Sequence, residues 1–98
     1  MASFTDKVVL VTGGTDGIGR ALVNALMRQG AKVVACGRNY DKLYQLQTTY
    51  AGKPLLALSA DVSNESDCKQ LIEQTIKIYG KLDSRENKNE ITRLNRFA

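Results

Sequence analysis

The sequence predicts an α/β fold, a parallel sheet between two layers of helices, cut down to a βαβαβα half. Three observations predict it. Short β-branched and apolar runs alternate with segments whose apolar residues recur at helical spacing. The connections between them are short and rich in glycine, and 98 residues suffice for one domain and no more. Strands that alternate with helices in this way are parallel and joined by right-handed crossovers, so the helices are left to cover the sheet.

Residues 7–12 read Lys-Val-Val-Leu-Val-Thr, the continuous apolar run of a strand buried on both faces. Ile18, Ala21, Leu22, Ala25 and Leu26 then recur at i, i+3, i+4, i+7 and i+8, which makes one stripe of a first helix. Gly30 supplies its left-handed stop and Arg28 places positive charge near the negative end of its dipole. Residues 32–36, Lys-Val-Val-Ala-Cys, form a second strand, and Tyr40, Leu43, Leu46 and Tyr50 mark a second helix ended by Gly52 and Pro54. A third strand follows at 55–59. Ser63 or Asn64 caps a third helix, whose stripe is Cys68, Leu71, Ile72, Ile76 and Tyr79 and whose end is Gly80.

The pattern breaks after Asp83. Six of the fifteen residues of 84–98 are charged, and Ile91, Leu94 and Phe97 come every third residue, so the pattern predicts no buried strand there but a frayed, at best partly helical tail. The expected organisation is a unit over 1–83 and a divergent charged tail over 84–98. Such a sheet ends with one edge of its first strand open, a site for pairing with another polypeptide.

Composition excludes several functions. Of the chain, 43% is apolar and 24% charged, and runs such as 8–11 and 55–58 fall far short of the roughly 20 apolar residues of a membrane span. No secretory pattern opens the chain, so the expected address is cytoplasmic. Without histidine there is no Ser-His-Asp or Cys-His hydrolase and no His-containing zinc site, and Cys36 and Cys68 read as small apolar residues rather than a disulfide framework or metal knuckle. The net charge of +4 is modest and dispersed, which argues against nucleic acid as a partner.

The chemistry lies in the glycines. Thr12-Gly13-Gly14-Thr15-Asp16-Gly17-Ile18-Gly19 joins the first strand to the first helix, where an anion can meet unpaired N–H groups at the positive end of a helix dipole. The same glycines also suit an ordinary tight turn. Gly13 permits the turn, Gly17 gives backbone access to a phosphate, and Gly19 allows helix and strand to pack closely. Asp61, just past the third strand, reads equally as a turn or cap residue and as a ligand group.

Thr-Gly-x-x-x-Gly-Ile-Gly at 12–19, Asp61-Val62 and Tyr79-Gly80-Lys81-Leu82-Asp83 together resemble the N-terminal half of the short-chain dehydrogenase/reductase family, over about residues 5–83. The resemblance implies a Rossmann-like fold that binds NAD(H) or NADP(H) for hydride transfer at a carbonyl or alcohol carbon. It implies that Thr12, Gly13, Gly17, Ile18 and Gly19 form the phosphate-binding turn, that the Asp61 carboxylate meets the adenine amino group, and that the Val62 backbone completes the adenine contact. After the second strand comes Cys36-Gly37-Arg38-Asn39. Gly37 stands where NAD-selective relatives carry an acid and Arg38 matches the arginine of NADP-preferring ones, so NADP is favoured over NAD. Asp16 opposes this, because relatives that prefer NADP often carry a cation in the loop. The candidate cofactor-binding residues are therefore Thr12, Gly13, Asp16, Gly17, Ile18, Gly19, Arg38, Asn39, Asp61 and Val62.

The family's catalytic pattern is not found. Four residues beyond Tyr40, Tyr44, Tyr50 and Tyr79 stand Tyr44, Thr48, Pro54 and Asp83, so no Tyr-x-x-x-Lys exists in these residues, and no catalytic residue or metal ligand is assigned. The similarity gives way to out-of-character sequence, as with a shifted reading frame, an alternatively joined exon or appended foreign residues. The expected function is a cofactor-binding portion of an NADP(H)-dependent oxidoreductase, without turnover of its own. The alternative is a non-catalytic interaction module that pairs through its open sheet edge with a second copy or a full-length relative.

Overall fold

The computed structural model describes residues 4–87 and 91–92, with side chains as far as residue 83. Its elements are β1 (Val8–Thr12), α1 (Gly17–Arg28), β2 (Lys32–Gly37), α2 (Tyr40–Thr49), β3 (Leu55–Ser59), α3 (Glu65–Tyr79), β4 (Ser84–Asn87) and β5 (Ile91–Thr92). The sheet order is β3-β2-β1-β4-β5. β1 runs parallel to β2, from Val8 opposite Lys32 to Thr12 opposite Cys36, and β2 runs parallel to β3, from Val33 opposite Leu55 to Gly37 opposite Ser59.

Alternation along each strand sends neighbouring side chains to opposite layers. Val9, Val11, Val33, Ala35 and Leu55 meet Val23 and Leu26 of α1 and Leu46 of α2. Val8, Leu10, Val34 and Cys36 face the other way, against Leu71 of α3, Ala60 and Leu82. With helices on both faces, the first two strands have no wet side, which explains why their sequences are apolar without interruption. Three βα units in three layers match the expected Rossmann-like fold.

The helices end where their sequences specify. The Asn39 side chain accepts from the Lys42 N–H at 3.1 Å, and Asn64 does the same for Asp67 at 3.1 Å, so Asn64 rather than Ser63 caps α3. Gly80, at φ 81°, closes α3 in the left-handed conformation that glycine adopts without a steric cost. The stripes are partly displaced from their expected positions. On α1 the buried residues are Gly19, Val23 and Leu26, while Ile18 is 71% exposed. On α3 they are Leu71 and Thr75, and Ile76 faces outward. Thr75 escapes a hydrophobic pattern because it is polar; its hydroxyl donates to the Leu71 carbonyl at 2.8 Å and so carries no unsatisfied group into the core.

The expectation of a frayed tail directly after Asp83 is corrected. Ser84–Asn87 pairs in parallel with β1, from Val9 opposite Ser84 to Thr12 opposite Asn87, and β5 pairs antiparallel with β4. The first-strand edge expected to be open is thus taken by β4, and the interaction reading loses the edge it rests on. Ladder bonds join backbone groups, so a polar sequence forms them as well as an apolar one. The buried second side of β1 requires partners for its N–H and C=O groups. The rest of the expected tail, 88–90 and 93–98, lies outside the described residues.

Candidate functional site

A parallel register brings the C-terminal ends of β1, β2 and β3 to one edge of the sheet, and the strand ends, connections and helix starts at that edge hold all the candidate residues. Thr12 ends β1, nearly buried. The N–H groups of Gly13 and Gly14 both reach the Cys36 carbonyl of β2, at 3.1 and 3.3 Å, which pins the loop to the neighbouring strand. Gly13 takes φ 66°, a conformation that favours glycine.

Close approach decides Gly14 and Gly19. A Cβ on Gly19 would lie 1.9 Å from the Gly13 carbonyl oxygen, so the first turn of α1 sits against the loop with no room for any side chain. A Cβ on Gly14 would lie 3.1 Å from both Ala35 Cβ and Val23 Cγ2. The motif pattern leaves position 14 free, and only the packing identifies it. At Gly17, with φ 57°, a Cβ would point into open space, so a bare backbone faces outward there.

The N-terminus of α1 differs from the other two. Asp16, extended at φ −153° and ψ 171°, makes no side-chain cap hydrogen bond, and the first helical bond is Arg20 N–H to the Asp16 carbonyl at 3.1 Å. The first turn of a helix has N–H groups with no acceptor inside it, and here neither a capping side chain nor an acidic residue in that turn stands in for one. A bare first turn with glycine on its outer face can approach an anion closely.

A second wall is built at the end of β2. A Cβ on Gly37 would lie 3.2 Å from Thr15 Cγ2, so loop and strand end touch side by side. Arg38 follows, its side chain 77% exposed, with Nη1 3.8 Å from Asp61 Oδ2. At that distance and exposure the pair holds Arg38 only loosely. Asn39 is committed through its side chain to capping α2.

Asp61 does two things at once. Its Oδ1 accepts from the Ser63 N–H at 3.0 Å and the Ser63 hydroxyl at 2.6 Å, the local turn that its sequence position allows. Its Oδ2 faces Arg38. The Ser63 hydroxyl bond and then the Ser63 N–H hold the carboxyl below its ordinary range against the opposing effect of desolvation, and Arg38 adds the weakest lowering. Val62 beside it is 41% exposed, as is fitting for an apolar rim.

One contact is not foreshadowed by the sequence pattern. Lys42 Nζ, from the first turn of α2, lies 2.6 Å from Asp16 Oδ2. The two residues are 26 apart, and no periodicity or motif links them. Among the described residues no group of three or more His, Cys, Asp or Glu side chains is placed to hold a metal ion. No helix among them is long and apolar enough to cross a membrane.

A profile of the short chain dehydrogenase family matches residues 7–87. An uncharacterised oxidoreductase of Staphylococcus aureus is 37% identical over 83 residues, which cover 85% of this chain and 36% of that protein. The cis-2,3-dihydrobiphenyl-2,3-diol dehydrogenase of Pseudomonas putida is 38% identical over 80 residues, 82% of this chain and 28% of the other. The crystal structure of a short chain dehydrogenase from Bacillus anthracis superposes with a TM-score of 0.76 at 32% identity, covering 83% of this chain and 34% of that one. The chain thus spans about a third of the length of these relatives.

Proposed function

The chain belongs to the short-chain dehydrogenase family, and on that premise we propose that it holds the adenosine and pyrophosphate portion of a nicotinamide dinucleotide, with NADP(H) preferred over NAD(H). The observation that carries this reading is the Gly19 contact, in which the α1 N-terminus lies so close to the Gly13 carbonyl that only glycine fits. That packing leaves uncapped N–H groups and an open surface at Gly17, which fit a pyrophosphate. Thr12, Gly13, Gly17, Ile18 and Gly19 line the phosphate side, and Asp61 and Val62 the adenine side.

Preference for the 2′-phosphate is supported by Arg38, which is mostly exposed and loosely paired, and by the lack of a side chain at Gly37, where a carboxylate would repel the phosphate. Asn39 serves through position, since its cap fixes the start of α2 directly after Arg38. When bound, the nicotinamide supplies hydride chemistry at a carbonyl or alcohol carbon in whole members of the family. Residues 1–98 contain no Tyr-x-x-x-Lys, so the role proposed for them is binding without turnover, with residues 1–83 supplying the half-site. A cytoplasmic setting belongs to the same proposal and is supported by the two free thiols, Cys36 and Cys68.

The test is titration of the purified chain with NADPH and NADH, following nicotinamide fluorescence and thermal stability together. Saturable stabilisation by NADPH that Arg38→Ala removes is expected, because a ligand that binds only the folded chain raises its stability by mass action. A melt unmoved by either cofactor at millimolar concentration rules the reading out.

A further inference from the structure

We propose that Lys42 is a second cation for the 2′-phosphate of NADP(H), held ready by Asp16 in the free protein. This rests on the reading above and deepens it. The glycine loop carries a carboxylate at position 16, which taken alone works against a phosphate dianion. In the folded chain that carboxylate is not alone, for Lys42 Nζ lies 2.6 Å from its Oδ2.

The placement of Lys42 is fixed by the same elements that place Arg38. Gly37 rests against Thr15 of the loop, Arg38 leaves the strand end, Asn39 caps α2, and the cap bond ends on the Lys42 backbone N–H itself. Loop, strand end and helix start thus lie side by side, with Lys42 held against the loop at Asp16 and Arg38, four residues earlier in sequence, facing Asp61. Both partners of the Lys42–Asp16 pair are about half exposed, at 44% and 56%, so the pair is screened by water and weak enough to rearrange. Lysine suits such a transfer, because its ammonium is a point charge on a flexible four-carbon stem and can lean from carboxylate to phosphate without a fixed geometry. Asp16 then restrains Lys42 beside the loop in the free state and competes for it in the bound state. The competing description is a plain strut that ties α2 to the loop.

The two descriptions separate on paired ligands. Adenosine 2′,5′-bisphosphate and 5′-AMP differ only in the 2′-phosphate, and their affinities for the full chain are measured by calorimetry at low and high salt. Lys42→Met is expected to weaken the bisphosphate about fivefold or more while leaving 5′-AMP unchanged, and to flatten the salt dependence of the bisphosphate alone. Lys42→Arg should retain most of the affinity, and Asp16→Asn should tighten the bisphosphate by freeing Lys42. Melting curves of each variant identify any loss that comes from unfolding, and the Arg and Asn variants carry the test if Lys42→Met fails to fold. If the wild-type chain prefers the bisphosphate and Arg38→Ala removes that preference, yet the Lys42 and Asp16 variants alter both ligands equally or neither, Lys42 is only a strut and the inference is overturned while the cofactor reading stands. If the wild-type chain shows no preference between the two ligands, the NADP(H) reading fails and the inference fails with it.

Discussion

Asp83 holds Val8 by two hydrogen bonds: its N–H donates to the Val8 carbonyl at 2.9 Å, and its Oδ2 accepts from the Val8 N–H at 2.8 Å. The first residue of β1 is thereby fixed to the residue that immediately precedes β4. This contact sets the register in which Ser84 meets Val9. Lys81 Nζ, 3.3 Å from the same oxygen, adds charge on the outer side.

Removing the Asp83 carboxylate should therefore cost stability out of proportion to a surface position. Val8 is fully buried, so Asp83→Ala leaves its N–H without a partner and is expected to cost about 2–3 kcal/mol, whereas Asp83→Asn keeps an acceptor and should cost about half as much. Chemical denaturation of the two variants checks this, and equal, negligible losses would count against the clamp.

The same carboxyl gives a pH dependence. Partial burial opposes its ionisation, but the Val8 N–H and Lys81 together outweigh burial and lower its pKa from the ordinary 3.8. A native pKa below the unfolded one means that the unfolded chain binds the proton first as pH falls. The contribution of Asp83 is complete above the unfolded value near 3.8 and is lost as pH falls through the lowered native value. The difference in stability between wild type and Asp83→Asn should thus be constant from neutral pH to about pH 5 and shrink below about pH 4.

Much of this architecture is legible in sequence because it is written in apolar runs. Val8 to Val11 and Val33 to Cys36 have core on both faces, the environment that a short uninterrupted apolar run between turn signals suits. The glycine loop is legible for a different reason, since Gly19 is required by a steric contact that admits no other residue. What is not legible is held by backbone and by polar groups. β4 joins the sheet through ladder bonds that its residue types do not announce, Thr75 is buried by an internal hydrogen bond, and Lys42 reaches Asp16 through the fold alone. Ile18 fits a helical stripe in one dimension yet is 71% exposed at the start of α1, where Gly19 beside it is buried.

At the outer edge of β3 the Gln47 side chain pairs with the strand's backbone. Gln47 Nε2 donates to the Leu55 carbonyl at 2.9 Å, and Gln47 Oε1 accepts from the Ala57 N–H at 2.8 Å, so the amide imitates a further strand. Gln47→Ala should expose a pair of backbone groups at an edge strand, lower stability by about 1–2 kcal/mol and raise the tendency to associate. Sedimentation at increasing concentration reads the association, and a variant that remains as monodisperse as wild type would show that the edge is protected by other means.

The thiols should report the two environments directly. Cys36 is fully buried in β2, while Cys68 is partly exposed on α3 with its Sγ 3.1 Å from the Val62 carbonyl. A disulfide reagent added to the native chain is expected to modify Cys68 within minutes and Cys36 only at the rate of unfolding. Simultaneous modification of both would mean that the core of the sheet opens far more readily than its packing implies.

Alanine at two glycines of the loop separates the cost of space from the cost of backbone conformation. At Gly17 the added methyl meets nothing within 4 Å, but φ 57° remains a left-handed conformation, so Gly17→Ala should cost about 1–2 kcal/mol and leave the loop in place. At Gly19 the methyl would overlap the Gly13 carbonyl oxygen at 1.9 Å, a backbone atom that cannot rotate out of the way. Gly19→Ala must therefore move α1 away from the loop, which loosens the Val23 and Leu26 contacts with the sheet and withdraws the first-turn N–H groups from the phosphate site. Its stability loss should exceed that of Gly17→Ala, and its affinity for adenosine 2′,5′-bisphosphate should fall further than stability alone explains. Heats of binding measured well below each melting temperature separate these effects. Equal affinities in the two variants would mean that the close approach at Gly19 serves packing and has no part in holding a phosphate.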